Sequence, residues 1–266
     1  MVLVGFGAAL IAAFANNLGF LYRHRGATSA PDVSMKTPWA SVKGLFRQKW
    51  WTIGYIVAFV AWGFHVAALA LAPLSLVQAV LAGGFVFLAI LADRFFGFTL
   101  RKREWFGIAL VALGLLVLSL TGAAASEGSG SDYRVLAMVV FEGGLIVFGA
   151  FCLLSHRIGD GEGNATAMLL AAAAGLMFSV THIGIKGIAG SVQLGTGPFL
   201  EVAFEDPLAL IAPLGLVIVL AAIGAFYASA RSLQLGDAVA VIAVTGIAGN
   251  ATAIVGGVIV FGDPVG

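Results

Sequence analysis

Charge is scarce in this sequence. Only 10% of its 266 residues are Asp, Glu, Lys or Arg, against 61% that are hydrophobic, whereas soluble domains carry about 25% charged residues. A chain so poor in charge cannot clothe a soluble core, and a mean hydropathy of +1.05 marks an integral membrane protein. Cysteine is reduced to one, Cys152, which excludes an internal disulfide and reads as a small packing residue in an apolar run. The four histidines are His24, His65, His156 and His182. They form no HExxH, no Cys/His cluster and no Ser/His/Asp set at short spacing, so nothing points to an enzyme or implies a cofactor. Glycine pairs such as Gly83-Gly84 and Gly143-Gly144 precede no Lys-Ser or Lys-Thr, which excludes a phosphate loop. A net charge of +1 without a basic patch offers nothing to nucleic acid. The ten-residue polar/apolar alternation of a membrane barrel is also missing.

What the sequence has instead is long apolar runs. A membrane helix needs about 20 mostly apolar residues, and eight segments meet or approach that length: 2–22, 51–72, 74–96, 105–121, 135–154, 164–189, 207–230 and 238–261. The expected fold is therefore all-α, a polytopic transmembrane helical bundle embedded in the lipid bilayer, with no room for a folded soluble domain. The longest inner connection, 23–50, carries Pro31, Pro38 and the basic stretch SVKGLFRQKWW, suited to lying along the interface. The linkers 122–133 and 190–206 are Gly/Ser-rich or acidic and read as flexible outer connections.

Orientation follows from Lys and Arg, which accumulate on the cytoplasmic side. The loop after helix 1 holds Arg23, Arg25, Lys36, Lys43, Arg47 and Lys49, and the turn after helix 3 holds Arg94, Arg101, Lys102 and Arg103. Counting crossings outward adds Arg157 and Arg231, so twelve of fourteen basic residues vote for an outside N-terminus, leaving Arg134 in an outer loop and Lys186 within a helix. Glu127, Asp132, Glu201, Glu205 and Asp206 make the outer loops acidic. Trp50, Trp51 and Trp105 fall at inner boundaries, where amphipathic rings settle. No basic residue precedes the first apolar run and RHR follows it, so it reads as a retained helix in the inner or plasma membrane and not as a cleaved signal.

An internal repeat is legible. Leu71-Ala72-Pro73-Leu74-Ser75-Leu76-Val77 aligns with Leu233-Gln234-Leu235-Gly236-Asp237-Ala238-Val239, and AAFANN (12–17) with LMFSVT (176–181). By the charge count, helices five apart run in opposite directions, which describes an inverted-topology repeat with residues 1–154 as the first copy and 155–266 as the second. The run 68–122, with its short interhelical turn, charged third-helix end and the glycine-spaced Glu104-Trp105-Phe106-Gly107 to Gly114, resembles the end of a repeat in the drug/metabolite transporter superfamily, the EamA-like group. The second half echoes it from Ala230 to FGDPVG (262–266 being GDPVG). The resemblance implies nine or ten helices where eight are present, so the chain is expected to continue by one or two helices. Small multidrug exporters of that superfamily carry a glutamate in the first helix. Here that helix offers Asn16 and Asn17, so drug/proton antiport does not carry over.

Polar residues inside the runs are the candidate site. Gln78, His65, His182 and Glu142 stand roughly four to seven residues from the outer ends of four different helices at about 1.5 Å per residue, a shared depth that suggests one cavity. A lone carboxylate in VVFEGGLIVF (139–148) must be protonated or paired, and Glu142 is the sharpest candidate for coupling or for meeting a cation. His182 titrates near neutrality, with Lys186 one turn further on. Asn17 and Asn250 lie deeper and are suited to hydrogen-bonding a substrate or to clipping helices together. Together Glu142, His182, His65, Gln78, Asn17 and Asn250 form the expected substrate-binding or coupling set, with no resident metal. The resemblance implies a transporter moving a small metabolite or cation by alternating access between two inverted halves. A NIPA-type magnesium transporter is a related reading, and a non-transporting scaffold or accessory subunit a reading of another class. Homodimerisation is left open by glycines and alanines on every helix.

Overall fold

A computed structural model describes residues 2–71, 74–97, 101–122, 135–155, 163–191 and 208–261. Among these it is all-α: α1 (Val2–Thr28), α2 (Pro38–Phe46), α3 (Lys49–Leu71), α4 (Leu74–Phe95), α5 (Lys102–Gly122), α6 (Val135–Ser155), α7 (Asn164–Ser191), α8 (Leu208–Leu235) and α9 (Ala238–Gly256), the last continuing as a π-helical turn, Gly257–Phe261. The described residues of every apolar run thus lie in a helix, Phe96 just past α4 excepted. Among the described residues, five stretches are long and apolar enough to cross a membrane: Leu3–Thr28, Leu136–Leu154, Asn164–Gly184, Leu214–Leu235 and Ala238–Phe261. Large side chains such as Ile56, Phe59, Val140, Val147 and Leu220 are exposed along these and neighbouring helices, as lipid-facing surfaces require and soluble ones do not permit. This is a membrane protein. The Pro73 turn, the acidic outer residues, Arg134, His156, Arg157 and the GDPVG end lie outside the described residues.

Helix α1 runs further than its apolar stretch. Arg23 and Arg25, expected in the following loop, belong to its last turns. The extension is stabilised because hydroxyls take up carbonyls that a helix end leaves unpaired: Thr28 Oγ1 donates to His24 O at 3.1 Å and Ser29 Oγ to Arg25 O at 3.1 Å, while cations there suit the helix dipole. The basic stretch of the 23–50 connection begins in α2, which starts at Pro38 in the first turn, where proline costs nothing. It buries Leu45 and leaves Trp39 exposed. At the far end of α4, Gly97 adopts φ +70°, the left-handed conformation that stops a helix.

The chain divides into two compact units, one of Met1–Glu127 with Asp237–Val239 and Pro264–Gly266, the other of Gly128–Gly236 with Ala240–Asp263. In the first, α1 packs between α3 and α4. Gly26 abuts Trp51, Gly19 abuts Gly54 and Ala58, and Ala8 and Ala9 meet Ala68, so α1 and α3 are antiparallel. A Cβ on Gly19 would stand 2.9 Å from Gly54 O. Only glycine permits that approach, which is how membrane helices gain packing where lipid supplies no hydrophobic drive. Helix α4 runs parallel to α1, from Val80 and Leu81 beside Ala8 and Ala9 to Phe87 edge-on to Phe14 and Phe96 beside Tyr22.

In the second unit α7 is central. It is antiparallel to α8, with Ala167 beside Gly236, Met177 beside Gly224 and Gly184 beside Ile218. With α9 it is parallel: Gly175 lies against Thr245 O and Gly249, and Ile183 against Gly256. In each unit one long helix, α1 in the first and α7 in the second, therefore lies between an antiparallel and a parallel neighbour. Helix α6 joins this unit through its packing on α7, a criterion of contact that differs from the repeat boundary read at 154/155.

Candidate functional site

Among the described residues of the second unit, the buried acidic side chain is Glu142. It stands on the face of α6 that carries Met138, Leu145 and Gly149, positions spaced to share one side of a helix. Above it in sequence, Met138 joins Ile183, Val260 and Phe261 in one apolar cluster, with Phe141 and Leu214 against it. Below it, Leu145 packs on Met177, Val180, Ala221 and Ala225, and the Met177 methyl occupies the space that Gly149 leaves open. Between these clusters the Glu142 side chain is only 5% exposed. Its Oε1 has no hydrogen-bond partner among the described residues. A Cβ on Gly184 would come within 3.8 Å of that oxygen, so glycine leaves α7 bare where the carboxylate lies.

The π turn Gly257–Phe261 packs on α6, and a Cβ on Gly256, just before it, would meet Ile183 and stand 3.0 Å from Phe141 Cε1. A π turn breaks the regular carbonyl ladder, and such turns concentrate at functional sites. A buried carboxylate with an unengaged oxygen can accept from a donor or attract a cation, and in a membrane it is expensive to keep without such a use.

The other sequence candidates are placed differently. His182 is on α7 and exposed, two positions from Gly184 and hence about 200° around the helix from it. Thr181, its neighbour, donates to Met177 O at 3.0 Å, so that hydroxyl is satisfied within its own helix. Asn250 is exposed on α9, and Lys186 lies on α7 with its side chain outside the described residues. The remaining three belong to the first unit. His65 is half-buried on α3, and Gln78 lies on α4 with its side chain outside the described residues. Asn17 is buried and donates from Nδ2 to Ala13 O at 2.8 Å and to Gly84 O at 3.0 Å, the geometry of a clip between α1 and α4.

Several buried polar groups were not singled out by the sequence, Arg23 and Ser179 among them. Arg23 is buried on α1, its guanidinium 3.8 Å from the Phe20 ring centroid and 5.1 Å from that of Tyr55; the RHR run disguised it as loop. Ser179 is fully buried on α7, its Oγ without a partner among the described residues. The signal for it was the spacing of small residues, Gly175 and Ser179 on α7 against Thr245 and Gly249 on α9. Among the described residues no three His, Cys, Asp or Glu side chains gather as a metal cage.

No family model matches the chain, and no solved structure does. Two curated proteins are similar. "Probable magnesium transporter NIPA9" of Arabidopsis thaliana is 23% identical over 96% of this chain and 72% of its own length. "Uncharacterized protein Cgl0250/cg0304" of Corynebacterium glutamicum is 26% identical over 67% of this chain and 60% of its own, so the chain spans less than two thirds of that relative. The similarity to the plant protein covers both compact units and agrees with the NIPA-type reading of the sequence: this is a membrane protein similar along nearly its whole length to a NIPA-type protein.

Proposed function

We propose that the chain is a membrane transporter for a small cation, with magnesium the leading substrate and Glu142 the group that meets it. The observation that carries this reading is the enclosed Glu142 carboxylate, 5% exposed and with Oε1 unengaged among the described residues, on a chain similar to a protein named as a magnesium transporter. Magnesium dehydrates reluctantly and is commonly held through one or two carboxylates with several waters retained. A single carboxylate beside glycine, with no three-ligand cage among the described residues, suits a partly hydrated ion better than a bare one. Asn17 serves as a helix clip in this reading, and His182, His65, Gln78 and Asn250 are secondary candidates for substrate or coupling.

Eight crossings, an outside N-terminus and two inverted halves working by alternating access complete the proposal. The like internal order of the two units supports a repeat, and the bias of Lys and Arg supports its inversion. A small metabolite in place of the cation is the competing substrate class.

Proteoliposomes holding the full chain and a magnesium-sensitive dye test it. Wild-type protein is expected to admit magnesium down its gradient, and Glu142→Gln to slow entry at least about tenfold, the effect of losing about 1.4 kcal/mol of ion interaction. Folded protein that moves neither magnesium nor any other offered solute would assign the chain to the scaffold class instead.

A further inference from the structure

A second site lies in the first unit, in a groove of about 280 Å³ between α1 and α4. Its α1 wall is Phe14, Leu18, Tyr22 and Arg25, successive members of one helix face. Leu91 and Phe95 of α4 form the other wall, and Phe95 is 75% exposed. At the mouth the Tyr22 and Trp50 rings stack with centroids 5.2 Å apart. Two exposed cations flank Trp50: the Arg25 guanidinium 4.5 Å and Lys49 Nζ 5.5 Å from its ring centroid. The α4 carboxylate Asp93 is two positions from both Leu91 and Phe95 and so lies about 200° around the helix from each.

We infer that this groove binds one anionic phospholipid of the leaflet on the basic side of the protein, its phosphate between Arg25 and Lys49 and one acyl chain along Leu18, Phe14 and Leu91. Length supports the assignment. Phe14 to Arg25 spans about 16 Å of helix, close to the roughly 15 Å depth of one hydrocarbon leaflet. Charge selects the headgroup: the polar end is doubly cationic, and by the positive-inside rule it faces the leaflet that holds anionic lipids. The inference is independent of any transport activity.

The test places the full chain in phosphatidylcholine vesicles containing a minority of phosphatidylglycerol, with brominated acyl chains on one lipid or the other. Trp50 quenching is read as the difference between wild type and Trp50→Phe. Brominated phosphatidylglycerol is expected to quench Trp50 well beyond its share of the lipid, and Arg25→Gln and Lys49→Gln are each expected to lower that preference about fivefold. Leu18→Phe, which fills the groove, should abolish the preference with both cations intact. Equal quenching by the two lipids, or a preference that survives loss of both cations, overturns the assignment. Shielding of Trp50 from both lipids, as a second copy of the chain seated there would produce, overturns it as well. Circular dichroism identifies any variant that fails to fold, in which case the wild-type comparison of the two lipids decides alone.

Discussion

Gly184 presents no side chain to Glu142: a Cβ there would stand 3.8 Å from Oε1 and 2.7 Å from Ile218 Cγ1. The space beside the carboxylate is therefore shaped by an absence on α7 and by one isoleucine on α8. Gly184→Ala is expected to push Ile218 aside at a cost of about 1 kcal/mol, within the usual range for overpacking. Ile218→Ala in the same chain should return part of that loss. A thermal-unfolding double-mutant cycle in detergent checks it, and strictly additive effects would show that the two residues do not meet.

Glu142 opposes stability to use. An enclosed carboxylate oxygen without a partner is costly, so Glu142→Leu is expected to raise stability by about 1 to 3 kcal/mol while removing magnesium entry. Melting and flux measured on the same preparation check both halves. A variant that loses stability and keeps flux would make Glu142 a structural group.

Adjacent glycines on α4 are expected to behave oppositely. Among the described residues a Cβ on Gly83 meets nothing within 4 Å, whereas on Gly84 it would stand 2.9 Å from Asn17 Nδ2 and 3.3 Å from Ala13 Cβ. Gly83→Ala should be neutral or slightly stabilising, since alanine favours helix. Gly84→Ala should displace the Asn17 amide and cost about 1 kcal/mol, as interhelical hydrogen bonds in membranes do. Asn17→Ala should cost about as much, and the double variant little more than either. Comparing the four melting curves reads this directly.

Orientation is testable with little background, because the one native cysteine, Cys152, is buried. Lys36→Cys, in the exposed segment before α2, should resist a membrane-impermeant maleimide in intact cells and react after permeabilisation. Labelling from outside at full rate would invert the topology.

The helices were legible because lipid imposes one requirement, some 20 apolar residues with every backbone group paired internally, and runs such as 135–154 meet it without ambiguity. The end of α1 was not, since Arg23 looks like loop until the rings of Phe20 and Tyr55 are seen to receive it. Glu142 was legible for the same reason as the helices: a carboxylate in VVFEGGLIVF violates its surroundings. What no local pattern could give is the partner across the gap. That Asn17 reaches Gly84, that Gly184 clears space for Glu142 and that Ser179 is enclosed all depend on which helices become neighbours, and Ala- and Gly-rich faces allow many pairings.

The Asn17 to Gly84 hydrogen bond joins residues 67 apart in the chain. At a synthesis rate of about 5 to 20 residues per second, its acceptor leaves the ribosome roughly 3 to 13 seconds after its donor. For that interval the newborn first helix carries an amide that can engage its own turn but not yet its eventual neighbour. Biogenesis of the first unit thus has a built-in waiting period, and the insertion machinery must shelter α1 until α4 arrives.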